Sequence, residues 1–212
     1  MMTVITDMSQ PLGLTVGNSL EIIECFETLK GRGPKDLTDL SLHLAGGMIH
    51  IAGISQTHAA GIKKAKEVIK NGKALEVFTA MIERQGGDIN VINDYTILPS
   101  ASEITKVLAP KTGWVKELNS LAIGLHCVEL GGGRKSSGDK IDFGVGFTLN
   151  KKIGDKVKEG DLLLTIHHNK NQSSLVAKMI KTIANEDYKF VSTKPSNLKP
   201  LIGETKTTWS HK

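Results

Sequence analysis

The chain has little of what would staple, span or stack a protein. Two of its 212 residues are cysteine. Cys25 and Cys127 lie far apart, each in an apolar helix-like run. That excludes a disulfide framework and a cysteine-based metal motif, and predicts buried free thiols in a reducing compartment. Aromatic residues make up 4% of the chain, so cores must be built from Leu, Ile, Val and Ala. No basic stripe interleaved with aromatics marks a nucleic-acid surface. No apolar run approaches the roughly 20 residues of a membrane span. The first ten residues lack the basic start and apolar segment of a secretion signal. A cytoplasmic protein without membrane or nucleic-acid partners is the expectation. The net charge of +5 comes from lysines scattered among acids, as in Lys63–Glu67 and Lys151–Asp155, the pattern of a solvated surface.

What is present divides near residue 95. Residues 1–90 read mostly as helices behind a strand-like run at Met2–Thr6. Asn18 with Glu21 three residues on makes a capping-box pattern. Leu20, Ile23, Phe26 and Leu29 follow as an apolar stripe, ended by Gly31-Arg32-Gly33-Pro34. A second helix from Asp36 or Thr38 places Leu37, Leu40, Leu44 and Met48 on one face. Gly46-Gly47 inside it points to close packing against a neighbour, since each glycine costs a helix about 1 kcal/mol. Further helices are expected over about 59–69 and 74–84, the last with Val77, Phe78, Met81 and Ile82 apolar. Val91-Ile92, Tyr95–Leu98 and Ile104–Leu108 read as short extended runs. Beyond Gly113 the expected strands are Trp114–Leu118, Lys140–Val145 and Leu162–His167, joined by Gly-rich turns. Helices are expected at Leu121–Glu129 and Ser173–Ala184, and an extended or poorly ordered tail after Ser192.

Seven sequence blocks carry a resemblance. They are Ile5–Gly13 (Ile-Thr-Asp-Met-Ser-Gln-Pro-Leu-Gly), Val16–Glu21, Leu29–Leu37, Gln85–Asp88, Ala109–Val115, Gly131–Arg134 with Ile141-Asp142 and Val145-Gly146, and Gly154–Asp161. In this order they resemble the later part of the pyrimidine-nucleoside and thymidine phosphorylases. The resemblance implies an α/β (mixed α+β) chain. Residues 1–95 would be the C-terminal part of the phosphorylase α/β domain. Residues 96–212 would be an α/β-hammerhead, barrel-sandwich-like C-terminal domain that buttresses the cleft. It implies reversible phosphorolysis of thymidine, uridine or deoxyuridine to free base and (deoxy)ribose 1-phosphate by a homodimeric enzyme. It also implies a potassium ion held by the carbonyl oxygens of Leu12 and Thr15 and the carboxylate of Glu24. A weakly hydrated cation suits converging loop carbonyls. The family's phosphate- and base-binding residues have no counterpart in these 212 residues, so no catalytic or substrate-binding residue is assigned. The isolated chain is expected to be inactive and to need a first-half partner or self-association to cover apolar helix faces. Phosphate and pyrimidine nucleoside are partners of the complete enzyme only.

Other chemistries fit less well. Gly131–Ser136 lacks the Gly-x-x-x-x-Gly-Lys-Ser/Thr spacing of a phosphate loop and reads as a surface turn or hairpin. His167 and His168 face opposite ways on a strand and cannot chelate together. His43 and His50 share a helix face as packing or surface residues, so no zinc is assigned. Lipoyl and biotinyl carrier domains also carry a Gly-Asp-x-Val-x-x-Gly-Asp turn, with Lys170 where the modified lysine would fall. Its flanks do not match, and a helix follows where a carrier needs a return strand. A non-catalytic subunit of a split enzyme is the third reading.

Overall fold

The computed structural model describes residues 1–207. In chain order the elements are β1 (Met2–Thr6), β2 (Thr15–Val16), α1 (Asn18–Leu29), α2 (Lys35–Ile51), α3 (His58–Lys70), α4 (Lys73–Arg84), β3 (Glu103–Leu108) and β4 (Gly113–Leu118). There follow α5 (Ser120–Glu129), β5 (Gly146–Leu149), β6 (Lys156–Val157), β7 (Leu162–His168), α6 (Ser173–Thr182), β8 (Tyr188–Val191) and β9 (Ile202–Thr207). This mixed α/β chain forms two compact units. The first holds Met1–Asp7, Glu24–Tyr95 and the described residues from Lys199 onward; the second holds Met8–Ile23 and Thr96–Leu198. Among the described residues no helix is long and apolar enough to cross a membrane.

In the first unit, α2 and α3 meet backbone to backbone. A Cβ on Gly61 would lie 2.2 Å from the Gly46 carbonyl oxygen, and one on Gly46 would lie 2.6 Å from the Ile62 nitrogen. The glycines that weaken α2 locally are therefore its contact face, as their position inside a helix foretold. The Met2 sulfur fills the space beside Gly47. Phe26, fully buried, packs edge-on against Phe78 at 5.3 Å and stacks on Tyr95 at 6.0 Å.

The expected apolar stripes need correction. Leu44 and Met48 of α2, and Val77 and Met81 of α4, are exposed, while α2 buries Leu42, Gly46 and Gly47. Helical periodicity allows two faces, and the side that admits close approach won. Cys25 is exposed rather than buried, because α1 turns Glu24, Phe26 and Thr28 inward; Cys127 is buried. The runs at 91–92 and 95–98 are not extended: 3-10 turns occupy Ile89–Ile92 and Tyr95–Ile97. The Asp88 carboxylate accepts from the Asn90 N–H and starts the first of them. The tail supplies β9, which pairs antiparallel with β1, Met2 opposite Thr207. The rest of the tail expectation, from 208 on, lies outside the described residues.

The second unit has two antiparallel sheets. One runs in the order β2-β5-β7-β3 and the other β6-β4-β8. One hydrophobic cluster draws on both: Val107, Phe147, Leu164 and Ile166 from the first sheet, and Val115, Leu118, Val157 and Tyr188 from the second. Ile123 and Cys127 of α5 and Val176 and Met179 of α6 close it. The Gly-Asp repeat forms two equivalent turns. Asp155 accepts from the Lys152 N–H at 2.8 Å and Asp161 from the Lys158 N–H at 2.9 Å. Both accompanying glycines, Gly154 and Gly160, have positive φ.

The strand expected at 140–145 begins later, at Gly146. The Asp142 carboxylate takes the Gly144 N–H, and a Cβ on Gly144 would press on Ser100 backbone at 2.6 Å. Turn chemistry and that close approach stop the ladder there. Gly131–Gly133 caps α5, the Gly132 N–H donating to the Cys127 carbonyl at 2.9 Å; it is a turn and not a hairpin.

Candidate functional site

The loop from Met8 to Val16, which holds Leu12 and Thr15, two of the three positions that the resemblance implies as cation ligands, is stitched into the second unit by polar contacts that its own residues specify. The Ser120 hydroxyl donates to the Met8 carbonyl at 2.7 Å. The Gln10 amide oxygen accepts from the Ile153 N–H at 2.8 Å. The Leu14 carbonyl accepts from the Leu149 N–H at 2.6 Å. Thr15 and Val16 then pair with Thr148 and Phe147. At Gly17 and Gly146 two backbones touch: a Cβ on either would meet a carbonyl oxygen, at 2.5 Å from Val145 and 2.2 Å from Val16 respectively. Only glycine allows the loop to seat so closely.

The start of α1 differs from the capping box in the sequence reading. The Gly17 carbonyl accepts the first helical bond, from the Glu21 N–H, and the Glu21 carboxylate reaches back to the Gly17 N–H at 3.0 Å. The Asn18 side chain instead donates to the Gly132 carbonyl at 2.9 Å. Asn18 thus ties the helix start to the glycine turn after α5, a long-range role that local sequence does not announce.

Leu12 and Thr15 both lie on this loop, Leu12 in the bend before β2 and Thr15 opening β2. Glu24 belongs to the first unit and is buried, 9% exposed. The Thr15 hydroxyl oxygen is buried without a hydrogen-bond partner among the described residues. The Lys152 ammonium donates to the Gly13 carbonyl at 2.9 Å. A loop carbonyl therefore already faces a cation, a contact that sequence spacing, 139 residues apart, could not reveal. Among the described residues no group of three or more His, Cys, Asp or Glu could hold a metal ion.

The block Leu29–Leu37 turns out to be a brace. Arg32 forks onto the Glu27 carboxylate at 2.7 and 2.9 Å. The Tyr95 hydroxyl donates to the same carboxylate, and Lys30 donates to the Tyr95 oxygen at 3.0 Å and to the Ile92 carbonyl. The Arg32 bond, seconded by Tyr95, pulls the Glu27 carboxyl down to about 2. Burial, seconded by Glu27, pushes the Tyr95 hydroxyl up to about 12. Neither group titrates near neutrality, so the cluster pins the 3-10 turns to α1 and is unsuited to proton transfer.

The described histidines are engaged structurally. His167 meets the Thr148 hydroxyl at 2.9 Å and His168 the Thr105 hydroxyl at 2.8 Å, on opposite neighbours of β7. Burial first, and His168 second, hold His167 below the usual imidazole value. His43 meets the Thr205 hydroxyl at 3.1 Å and stands edge-on to His58, 4.3 Å between rings. His50 meets the Ser55 carbonyl at 3.1 Å. Burial raises the Cys127 thiol to about 11, which rules it out as a nucleophile at neutral pH. Lys170 opens a 3-10 turn, Lys170–Gln172, that runs straight into α6. A carrier lysine at a hairpin tip needs a returning strand, so the carrier reading is not favoured.

Comparison with known proteins fits this architecture. Residues 114–186 match the family described as Pyrimidine nucleoside phosphorylase C-terminal domain. The chain is 41% identical over 204 residues to a pyrimidine-nucleoside phosphorylase of Staphylococcus haemolyticus (strain JCSC1435), covering 96% of this chain and 46% of that protein. It is 45% identical over 188 residues to one of Staphylococcus aureus (strain USA300), covering 88% of this chain and 43% of the relative. The chain therefore spans less than half the length of the curated relatives it matches. With a matching C-terminal domain, and identity extending over nearly all the remaining residues, the chain belongs to the pyrimidine-nucleoside phosphorylase family, as the C-terminal portion of such an enzyme.

Proposed function

We propose that this chain serves reversible phosphorolysis of thymidine, uridine or deoxyuridine, yielding free base and (deoxy)ribose 1-phosphate. It would supply scaffold and a cation loop, while the remaining length of a family enzyme supplies the phosphate and base ligands. The observation that carries this reading is 41% identity to a pyrimidine-nucleoside phosphorylase over 204 residues, 96% of the chain. Substitution at an anomeric carbon demands a held phosphate and donors to the departing base. The polar clusters of Glu27, His43 and His167 are instead locked in structural bonds. The 212-residue polypeptide alone is accordingly inactive, and acts in the cytoplasm with a complementing first portion or as part of a homodimer. Exposed Leu44, Met48, Val77 and Met81 offer apolar surface for such association.

Potassium is the proposed ion, with the Leu12 and Thr15 carbonyls and the Glu24 carboxylate as ligands from this chain. One feature supports the fit: the buried Thr15 hydroxyl oxygen has no hydrogen-bond partner among the described residues. Bound there, potassium would supply fixed positive charge and hold the loop. The test is phosphorolysis of uridine and thymidine by the pure chain, then with a separately produced first portion of the S. haemolyticus relative. Base release only in the mixture is expected; release by the pure chain overturns the scaffold role. In the mixture, potassium chloride is expected to raise the melting temperature above that in lithium chloride at equal ionic strength, and Glu24→Gln to erase the difference. An equal melting temperature in both salts removes the cation proposal and leaves the scaffold role standing.

A further inference from the structure

A second polar feature lies on the outer side of the β6-β4-β8 sheet, wholly within the second unit. The strand β8 leaves the sheet at Val191, and the segment 192–198 folds back over β4. Leu198 anchors it: a Cβ on Gly154 would sit 2.9 Å from the Leu198 Cδ1, so the leucine occupies the space the glycine leaves. Between sheet and segment is a pocket of about 380 Å³, lined by Lys116, Val191 and 193–198. That volume suits a small ligand.

Its chemistry is lopsided. Lys194 lines it and holds its ammonium 5.6 Å from the Trp114 ring centroid; Lys156, on the neighbouring strand, holds its own 5.9 Å from the same ring. Lys116 brings a third ammonium, paired on the surface with Glu117 at 3.3 Å. No described carboxylate lies within the 4.0 Å of an ion pair to Lys156 or Lys194. An aromatic ring approached by two ammonium groups attracts each of them but neutralises neither charge. Thr193, Ser196 and Asn197 add neutral donors, while Val191, Pro195 and Leu198 give an apolar wall. Compact lysine charges suit a multivalent oxyanion, and neutral donors around them suit its remaining oxygens. A carboxylate, with a single charge and two oxygens, would leave part of this set unused.

We propose that this pocket binds a phosphate group, either free or carried by a small organic molecule such as a nucleoside monophosphate. Lys116 and Lys194 hold the group, Lys156 adds long-range charge, and the apolar wall receives any organic body. This site stands independently of the catalytic proposal, because it uses no residue of the cation loop.

Trp114 makes the test direct. Trp209 lies outside the described residues; with Trp209→Phe in the full chain, Trp114 is the one remaining tryptophan and its emission is read by selective tryptophan excitation. The chain is titrated with inorganic phosphate and separately with uridine 5′-monophosphate, with sodium chloride at matched ionic strength as comparator. A saturable change with either phosphate ligand is expected, weakened about tenfold or more in Lys116→Gln/Lys194→Gln by loss of two charge-assisted contacts. Which ligand saturates identifies the source of the group. Phosphorus-31 line broadening of the ligand gives a second readout that needs no lysine variant. A response that rises linearly, is matched by chloride, or survives unchanged in the double variant overturns the proposal.

Discussion

Replacing Gly61 with alanine tests the packing that organises the first unit. An alanine Cβ at this position would stand 2.2 Å from the Gly46 carbonyl oxygen. Real Cβ atoms do not come within 3.0 Å of a neighbour, so α2 and α3 must separate by at least about 0.8 Å. The obstacle is backbone, which cannot rotate away as a side chain can. Overpacking of this kind costs about 1–3 kcal/mol, while alanine in place of glycine returns roughly 0.8–1.0 kcal/mol of helix propensity. Taking the middle of each range, the net expectation is a loss of about 1 kcal/mol, lowering the urea midpoint by roughly 0.5 M. Gly124 of α5 is the matched control, because nothing lies within 4 Å of a Cβ built there. Gly124→Ala should keep the propensity gain and stabilise by roughly 0.5–1 kcal/mol. Urea unfolding followed by far-ultraviolet circular dichroism measures both, and amide exchange in α2 and α3 locates the effect. If Gly61→Ala were as stable as the parent, the backbone-to-backbone contact would be refuted.

The remaining predictions use the ionisable groups. Glu27 has its carboxyl lowered from 4.5 to about 2 by Arg32 and Tyr95. A depressed carboxyl contributes stability that is full above the unfolded value and is lost as pH falls through the folded one. Between about pH 4.5 and 2 the parent should therefore lose stability more steeply than Glu27→Gln, as read by melting temperature; parallel curves would refute the brace. Cys25 is exposed and Cys127 is buried, with its thiol raised to about 11. A thiol reagent at pH 8 should titrate one cysteine quickly and the second only on unfolding; two fast thiols would contradict the burial of Cys127. Arg32→Lys should lose the fork on Glu27 and weaken the brace, since a single ammonium cannot make both bonds; an unchanged acid profile would count against it.

Some of this protein was legible in its sequence because the signals were local. The Gly154–Asp161 repeat needs only its own aspartates to form two turns, and β4 and β7 need only alternation and β-branched or aromatic residues. Gly46-Gly47 carried a warning of close packing because glycine inside a helix is costly without it. Other features failed to show for an equally definite reason. In α2 Leu42 is buried and Leu44 is exposed, and hydropathy does not distinguish them. The 3-10 turns at 89–97 replaced extended runs because Asp88 captured a backbone N–H and Lys30 captured a carbonyl 62 residues away.

The candidate cation loop divides along the same line. Its membership in a family block was readable at Ile5–Gly13, and so were Leu12, Thr15 and Glu24 as the positions the family resemblance implies. Lys152 on the Gly13 carbonyl, Ser120 on Met8 and Asn18 on Gly132 were not, being partners more than 100 residues apart. The pocket beside Trp114 was invisible for the same reason, since Lys116, Lys156 and Lys194 come from three separate stretches.

Sequence by itself determined the family, the mixed α/β composition, most helices and the glycine-rich turns, because these follow from short-range sterics and from blocks of residues in order. Only tertiary structure decided which helix faces are buried, that the tail pairs with β1, that Gly17 and not the Asn18 side chain caps α1 and that two lysines gather at one tryptophan. Those outcomes depend on which backbone groups find partners across long separations, and a linear pattern carries no record of that competition.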